Sequence, residues 1–267
     1  MKPPISIITL TTDFGLADPY VAEMKAVILG INPTAKIVDV THQVEKFNIR
    51  HGAFILAAAA PYFPKNTIHV AVVDPGVGTK RKPILIETEK YFFVGPDNGV
   101  LTLAARKQGI RHIYEIVNPK VMLPRISQTF HGRDIFAPAA AYLSRGVKPL
   151  EFGPKIRRIV MPRFARVIGK GSTLMGEVIH VDSFGNIITN FTAKNLEDLG
   201  IQDFVRIKLK DKELTLKLCK AYAEVETGKP LAIIGSHDFL EVSVNMGNAA
   251  QAFGVKIGDT VKLCRSS

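Results

Sequence analysis

The spacing of apolar residues changes about two thirds of the way along this 267-residue chain, and that change constrains the fold more than any other feature. In residues 5–143, strand-like runs alternate with runs in which apolar residues recur every three or four positions, as in a helix. From about residue 172 onward, short β-rich runs are separated by polar turns. The first pattern predicts an α/β domain whose central sheet is flanked by helices. The second predicts a smaller all-β domain, a barrel or a sandwich.

The individual elements follow from the same patterns. The predicted strands of the first domain cover residues 5–11, 36–40, 67–73, 83–88 and 91–94. Its predicted helices cover residues 18–31, 49–60, 100–107 and 135–143. In the second domain, strands are predicted for residues 174–181, 204–209, 213–218, 231–234, 241–244 and 260–263. Because loops that follow parallel strands meet at one edge of a sheet, we expect functional residues in those loops.

A basic stretch punctuated by prolines, residues 146–171, separates the two patterns. We therefore predict an α/β domain over residues 1–165 and a β-barrel domain over residues 166–267. The net charge of +11 raises the question of nucleic-acid binding. However, eight Lys and Arg residues against one acid, Glu151, fall within residues 145–170, and no nucleic-acid-binding motif accompanies them. A solvated connector or a subunit contact explains this charge better than a nucleic-acid partner.

Composition excludes several other classes of protein. No apolar run reaches the length of about 18 residues that a membrane span needs, and the longest, residues 53–60, ends at a proline. The first four residues (MKPP) are a poor start for a signal peptide, so we expect a cytoplasmic protein without a membrane partner. Cys219 and Cys264 form neither a disulfide framework nor a metal-ligand cluster, and no spacing of His, Cys and acidic residues is typical of zinc.

Residues 73–81 (VDPGVGTKR) form the first motif with chemical potential. Asp74 directly follows an apolar strand, and a Gly-rich turn leads from it to Arg81. Such a turn permits close approach of the backbone to a ligand. Its glycine spacing matches neither a Walker A loop nor the dinucleotide-binding fingerprint. The alternative is a simple hairpin loop that carries an Asp–Arg pair on the surface.

Residues 130–134 (FHGRD) offer an imidazole that could complete this group. A carboxylate, a guanidinium and the imidazole of His131 are together able to hold and orient a small nucleophile such as water. Fifty residues separate His131 from Arg81, so only the fold can bring the two together. The alternatives are a structural histidine and an ion pair between Arg133 and Asp134 at the start of a helix.

Two further segments carry candidate binding residues. Residues 11–15 (TTDFG) put Asp13 at the end of the first strand, where a carboxylate suits a pair of ligand hydroxyls. Alternatively, Asp13 caps the helix that follows. Residues 181–186 (VDSFGN) offer an acid, an aromatic ring and an amide that are able to bind an amine, stack on a base and read its edge, or else form an Asx-type turn. The consecutive residues 236–238 (SHD) point in different directions and cannot form a hydrolytic triad.

Taken in order, the segments TDFG, VDPGVG, GPDNG (residues 95–99), FHGRD and DSFGN resemble one known family. The chain is similar over nearly its whole length to the S-adenosyl-L-methionine (SAM) hydroxide adenosyltransferases, or adenosine-forming SAM hydrolases, which are relatives of the SAM-dependent fluorinase and chlorinase. The resemblance implies an N-terminal α/β domain, a C-terminal β-barrel and a homotrimer. It also implies that SAM binds between the N-terminal domain of one subunit and the C-terminal domain of the next.

The same resemblance implies roles for individual residues. The residues implied to orient water are Asp74, Arg81 and His131. The residues implied to bind SAM are Asp13 at the ribose, Phe184, Asn186, Tyr222 and Met246 at the adenine, Asp182, Ser236 and Glu241 at the methionine end, and Asp18 and Phe47 as pocket lining. SAM is then the substrate, and neither a cofactor nor a metal is needed.

The expected reaction is hydrolysis of SAM to adenosine and L-methionine by attack of water or hydroxide at the ribose C5′. The halogenating relatives lack the Asp–Arg–His set and carry a serine near the position of Gly132, so the motifs favour water over halide. Two alternatives stay open at this point. One is a SAM-dependent halogenase, and the other is a protein that binds an adenosyl group without turning it over.

Overall fold

The computed structural model describes residues 7–265, so the first two residues of the predicted strand 5–11 lie outside the described part. The chain divides into two compact units, Met1–Val160 and Met161–Ser267. The first is an α/β unit and the second is built around a closed β-barrel, which confirms the predicted fold class. Within residues 7–265, no helix has both the length and the apolar character that crossing a membrane requires.

The sheet of the first unit has six strands: β1 (Ile7–Thr12), β2 (Lys36–Thr41), β3 (Ile68–Val72), β4 (Pro83–Thr88), β5 (Phe92–Pro96) and β6 (Ile110–Glu115). Their order is β2-β1-β3-β5-β4-β6. The pairs β1–β2, β1–β3 and β3–β5 are parallel, whereas β4 is antiparallel to both of its neighbours. Every residue of β3 is buried, as expected for a central parallel strand covered on both faces.

Four helices cover this sheet: α1 (Tyr20–Ile31), α2 (Ile49–Ala59), α3 (Thr102–Lys107) and α4 (Ala137–Ser144). Helix α1 packs against α4, and α2 packs against α3. The chain moves from β1 outward to β2 through α1, then back across β1 to β3 through α2. Because such crossovers are right-handed, the two helix pairs lie on opposite faces of the sheet.

This reversal of direction between β1 and β3 makes the carboxyl edge of those two strands the natural place for a ligand. The chain leaves β1 at Asp13 and leaves β3 just before Asp74, so both carboxylates are delivered to that edge. Packing beneath the edge is apolar: Met24 and Ile28 of α1 are fully buried against Leu10 of β1. Each such side chain contributes about 1.5–3 kcal/mol of burial free energy, which makes the edge a rigid platform.

The second unit contains β7 (Ile168–Lys170), β8 (Thr173–Val181), β9 (Ile187–Thr192), β10 (Phe204–Leu209), β11 (Lys212–Cys219), β12 (Pro230–Ile234), β13 (Phe239–Val244) and β14 (Thr260–Cys264), with the short helices α5 (Ala193–Asp198) and α6 (Ala249–Phe253). Strands β8 to β14 form a closed ring because β14 pairs with both β10 and β8. Closure removes the exposed edges that an open sheet would present. The barrel, rather than the sandwich, is therefore correct.

The sequence patterns located most elements to within one or two residues but missed some. Strand β9 was missed because polar residues occupy buried positions, where Thr189 donates to the carbonyl of Leu240 and Asn190 donates to that of Arg166. Strand β6 was missed because charged residues interrupt it. The helix predicted at residues 135–143 begins instead with a single π-helical turn, Gly132–Phe136, before α4. Such turns are frequent at functional sites.

Candidate active site

A cavity of about 410 Å³ lies in the first unit at the carboxyl edge of its sheet. Five of the predicted site residues line it: Asp13, Asp18, Phe47, Asp74 and His131. Asp13 follows β1 and Asp74 follows β3, and these strands are neighbours in the sheet. Loops that follow two neighbouring strands therefore meet at this cavity.

Asp74 and Arg81 form a two-pronged ion pair beside this cavity. Arg81 Nε lies 3.0 Å from Asp74 Oδ1 and 2.9 Å from Oδ2, and Arg81 Nη2 also donates to Oδ2. The side chain of Arg81 is 9% exposed and that of Asp74 is 5% exposed. The alternative of an exposed hairpin pair is therefore wrong. Removing either partner would leave the other charge buried and uncompensated, so each fixes the other in place.

The turn that joins Asp74 to Arg81 depends on glycine. Gly78 has a φ of +75°, and a Cβ at this position would overlap the carbonyl oxygen of Gln128. Only a residue without a side chain permits both the left-handed backbone and this close approach. The approach brings the turn against the segment that leads into His131, three residues beyond Gln128.

Arg81 also contacts His131, whose Nδ1 lies 2.8 Å from Arg81 Nη2. A guanidinium only donates hydrogen bonds, so Nδ1 accepts and the proton of the neutral ring is assigned to Nε2. Burial lowers the pKa of His131 and the charge of Arg81 lowers it further, which outweighs the attraction of the nearby carboxylates. The imidazole is therefore neutral at neutral pH. Asp74, Arg81 and His131 form one connected group around a single guanidinium.

The second carboxylate of the cavity, Asp13, is held by the backbone of another loop. Asp13 Oδ2 accepts a hydrogen bond of 2.9 Å from the N–H of Phe47. Phe47 has a φ of +63°, which a non-glycine residue rarely adopts, and its ring is 69% exposed. Helix α1 begins after Pro19 without a side-chain cap, so the alternative that Asp13 caps that helix is wrong.

The ion-pair alternative for Arg133 and Asp134 is correct. Arg133 Nε donates to Asp134 Oδ1 at 2.7 Å, and Arg133 Nη1 donates to Glu23 Oε2 at 2.8 Å. Asp134 is fully buried and also accepts a hydrogen bond of 2.8 Å from the backbone of Ser127. Since Glu23 and Arg133 both line the cavity, this pair fixes one of its walls in addition to the start of the π-helical turn.

In the second unit, Asp182 organises the turn between β8 and β9. Asp182 Oδ1 accepts from the N–H of Phe184 at 3.0 Å and of Asn186 at 2.9 Å, and Oδ2 accepts from Asn186 Nδ2 at 2.9 Å. The alternative of an Asx-type turn is thus correct. This turn leaves the ring of Phe184 76% exposed. An exposed aromatic beside an ordered amide is the arrangement that base stacking and edge recognition require.

Tyr222 and Glu241 form a second polar pair in the same unit, with Tyr222 Oη donating to Glu241 Oε2 at 3.2 Å. Burial raises the pKa of Glu241 and the negative charge of Asp182 raises it further, despite the hydrogen bond from Tyr222. Burial and the Glu241 charge raise the pKa of Tyr222 to about 12. Asp182, Tyr222 and Glu241 therefore lie within one electrostatic neighbourhood, which suits a cationic group.

The last two predicted residues lie on turns of the barrel. Ser236 is in the turn that joins β12 to β13, the strand that carries Glu241. Met246 follows β13, has a φ of +55° and is 88% exposed. Residues 236–238 are consecutive positions of one tight turn, which agrees with the rejection of a hydrolytic triad there.

Family models and relatives identify the chain. The SAM hydroxide adenosyltransferase N-terminal domain matches residues 8–153 and the C-terminal domain of that family matches residues 176–262. The chain belongs to the SAM hydroxide adenosyltransferase family. The family membership predicted from the order of the motifs is thereby confirmed.

Relatives of this chain agree with the assignment. The (R)-S-adenosyl-L-methionine hydrolase of Methanocaldococcus jannaschii is 40% identical over 97% of this chain and 96% of its own. That of Thermus thermophilus is 38% identical over 94% of this chain and 97% of its own. A crystal structure of an uncharacterized conserved protein from Thermotoga maritima is 41% identical, with a TM-score of 0.83 over 97% of this chain and all of that one. Fluorinases match at 25–28% identity.

Reasoning from the sequence missed an aromatic wall of the cavity. Phe14, Tyr20 and Phe130 line the cavity and pack edge to face in a triangle, with ring centroids 5.9, 5.7 and 5.1 Å apart. They come from three separate elements, so no local spacing reveals them. Phe14 and Phe130 belong to the segments TDFG and FHGRD, but neither segment indicates that their rings meet.

Proposed function

We propose that this protein hydrolyses SAM to adenosine and L-methionine, with water or hydroxide attacking the ribose C5′. Three relatives named (R)-S-adenosyl-L-methionine hydrolase, at 37–40% identity over nearly the full length, support this function. The observation that carries it is the buried, connected group of Asp74, Arg81 and His131 beside the cavity. Fluorinases are more distant relatives, so hydrolysis is preferred over halogenation.

The leaving group explains why the site needs no general acid. The sulfonium of SAM departs as a neutral thioether when the C5′–S bond breaks, so no proton has to follow it. The task of the protein is to hold an oxygen nucleophile in line with that bond. As the nucleophile approaches, its negative charge and the positive charge of the sulfonium cancel, which a dry cavity with fixed dipoles favours.

The three residues have complementary tasks in this proposal. Arg81 is the sole positive member, and its Nη1 is buried without a hydrogen-bond partner in the described part of the chain, so it remains a donor for water or hydroxide. Asp74 accepts the proton that the attacking water loses, and its pairing with Arg81 fixes the orientation of the carboxylate. Neutral His131 holds the guanidinium through Nδ1 and adds no positive charge that would repel the sulfonium.

The remaining residues are proposed to bind the substrate. In residues 1–165, the two carboxylate oxygens of Asp13 suit the vicinal hydroxyls of the ribose, and Asp18 and Phe47 complete the lining. In residues 166–267, Phe184, Asn186, Tyr222 and Met246 are proposed to contact adenine, and Asp182, Ser236 and Glu241 the methionine end. Buried carboxylates with a raised pKa, such as Glu241, suit the ammonium group of methionine.

Incubation with SAM in H₂¹⁸O tests the reaction directly. The expected result is ¹⁸O in the 5′-hydroxyl of adenosine together with unlabelled L-methionine. A parallel incubation with chloride or fluoride distinguishes the halogenase, which would release 5′-halo-5′-deoxyadenosine. Binding of SAM without any product would instead indicate an adenosyl-binding protein.

We further propose that the protein works as a homotrimer with each site shared between neighbouring subunits, and that it acts in the cytoplasm. Light scattering coupled to size exclusion tests the first point. Mixing an Asp74→Asn chain, impaired in kcat, with a Glu241→Ala chain, impaired in KM, tests the shared site, because mixed trimers contain unimpaired sites only if the two residues serve one site from different subunits.

A further inference from the structure

We propose that His42 is a positioning residue that holds the Asp13 carboxylate at the cavity. His42 follows β2 and carries none of the roles assigned above. The proposal rests on the proposed function in one respect, since the ribose of SAM is the group that Asp13 would bind. The juxtaposition of the His42 ring with the residue before Asp13 does not depend on that function.

The His42 ring lies between two side chains, Thr12 and Asp39, at the end of the parallel strands. It is 4% exposed, its Nδ1 lies 2.9 Å from Thr12 Oγ1, and its Nε2 lies 3.0 Å from Asp39 Oδ1. The other oxygen of Asp39 accepts a hydrogen bond of 2.6 Å from Lys25 Nζ. Although burial opposes it, these two partners hold the pKa of Asp39 below its ordinary value, so the carboxylate that anchors the ring is ionised.

Thr12, which precedes Asp13, links the His42 ring to the backbone on both sides of Asp13. Its Oγ1, already bonded to the His42 ring, also accepts from the N–H of Phe14 at 3.3 Å. Its carbonyl accepts from the N–H of Val44 at 3.2 Å. The residues on either side of Asp13 are thus tied to the loop that begins at His42.

The main chain of His42 also contacts the segment that follows Asp13. The carbonyl of His42 accepts from the N–H of Gly15 at 2.8 Å. The same loop continues to Phe47, whose N–H donates to Asp13 Oδ2. The loop that starts at His42 therefore supplies, at its far end, the hydrogen bond that orients the Asp13 carboxylate. Phe47 has a left-handed φ of +63°, a conformation that a non-glycine residue keeps where the surrounding structure enforces it.

A purely structural histidine in the same sheet provides a matched control. His69 of β3 is also buried, and its Nδ1 lies 2.8 Å from Oγ1 of Thr9 on the same strand, β1. Its ring stacks on Phe93 within the aromatic core, with centroids 5.2 Å apart. His42 and His69 thus make equivalent contacts to β1, but only His42 lies next to the loop that orients Asp13.

The experiment compares His42→Phe, His42→Asn and His69→Phe with the wild-type protein. We expect His42→Phe to raise the KM for SAM about tenfold with kcat changed by less than about threefold, since ribose contacts act on substrate and transition state alike. The shorter amide of His42→Asn retains a partner for Thr12 and should recover part of this loss. His69→Phe should leave KM and kcat near the wild-type values.

A double-mutant cycle with Asp13→Asn separates positioning from general destabilisation. If His42 acts through Asp13, then His42→Phe adds little to the KM already raised by Asp13→Asn. Additive effects of the two substitutions, or equal KM effects of His42→Phe and His69→Phe, would overturn the proposal.

Amide hydrogen exchange supplies a readout that is independent of catalysis. We expect the Phe47 N–H to exchange at least about tenfold faster in His42→Phe and at the wild-type rate in His69→Phe. Unchanged exchange in His42→Phe overturns the positioning role even if the protein hydrolyses SAM. Faster exchange in a protein that forms no adenosine overturns the proposed function and leaves the positioning role supported.

Discussion

Arg81 Nη2 lies 2.8 Å from Nδ1 of His131, although fifty residues separate the two in the chain. The same guanidinium holds both oxygens of Asp74 through Nε and Nη2. One buried cation therefore fixes the orientation of an acid and of an imidazole at the cavity. Because nearly all of its hydrogen bonds are made within the site, Arg81 is the residue whose replacement tests the arrangement most directly.

Arg81→Lys should lower kcat for SAM hydrolysis by about 10²-fold or more, comparable with the loss of a preorganised electrostatic group. Lysine keeps the charge but cannot donate to Asp74 and His131 at once, because its ammonium is a point donor without a planar fork. Product formation followed by chromatography measures the effect. A kcat equal to that of the wild-type protein would show that catalysis does not need one side chain to contact Asp74 and His131 at once.

Arg81→Ala should also destabilise the fold, by about 3–5 kcal/mol, because it leaves the Asp74 carboxylate buried without its partner. Lys82→Ala is the matched control, since the side chains of its ion pair with Glu115 are 47% and 22% exposed and thus more accessible than those of Arg81 and Asp74. We expect Lys82→Ala to lower the free energy of unfolding by at most about 1 kcal/mol. Urea unfolding of the three proteins makes the comparison.

Acidification should abolish activity below the ordinary pKa of histidine. Burial and the Arg81 charge lower the pKa of His131 from its usual 6.5. Protonation would put a second cation against Arg81 and remove the Nδ1 acceptor. The acid limb of kcat/KM is therefore expected below pH 6.5, with activity rising as pH increases through that limb. A limb centred above pH 6.5 would contradict the assigned neutral state.

The same depressed pKa affects stability with a definite sign. Between the lowered folded pKa and 6.5, the unfolded chain binds a proton at His131 that the folded chain does not, so the free energy of unfolding falls as pH decreases through this window. Above pH 6.5, His131 adds no pH dependence to the free energy of unfolding. His69 adds a larger effect of the same sign, because its pKa is lowered to about 3 by burial. Urea midpoints measured from pH 7 to pH 4 should decline accordingly.

The features that could be predicted from the sequence are those encoded within one short segment. The Asp74–Arg81 turn, the end of β1 at Asp13 and the Asx-type turn at Asp182 each lie within nine residues, so their chemistry and geometry are local. The order of these motifs along the chain then identified the family and, with it, the partnership of His131 with a distant arginine. Residue types alone left each segment with a structural explanation that was at least as reasonable as the functional one.

The features that were missed depend on contacts between segments. His42 is unremarkable in the sequence because Thr12, the partner that links it to Asp13, lies thirty residues away on a strand that reaches it only through the sheet. Strand β9 was missed because Asn190 is buried, yet its Nδ2 donates to two backbone carbonyls and its Oδ1 accepts from a backbone N–H, which makes a polar residue suitable for a buried position. Tertiary hydrogen bonding, which no periodicity records, decides both cases.

Gly78→Ala should impair both stability and activity. The new Cβ would overlap the Gln128 carbonyl at a φ of +75°, so the turn between Asp74 and Arg81 has to move. Gly171→Ala is the matched control, because Gly171 has a φ of +73° with nothing within 4 Å of its Cβ position. The free energy of unfolding of Gly171→Ala should fall by about 1 kcal/mol, and its kcat should be unchanged. Gly78→Ala should lose several-fold more stability and at least about tenfold in kcat; equal losses in the two variants would rule out the steric argument.

Glu241→Gln should weaken substrate binding while leaving the barrel at least as stable as before. Burial and the charge of Asp182 raise the pKa of Glu241, so the ionised side chain destabilises the fold at neutral pH, and stability is gained as pH falls through that raised pKa. The neutral amide removes this cost and still accepts from Tyr222, yet it no longer attracts an ammonium group. We expect KM for SAM to rise about tenfold, as for the loss of one charge-assisted hydrogen bond, with an unchanged or higher melting temperature.

Glu213→Gln is the control for this prediction. Glu213 forms an exposed ion pair with Arg206, so its replacement should change neither KM nor the melting temperature. A lower melting temperature with an unchanged KM would mean that Glu241 serves the barrel rather than the substrate.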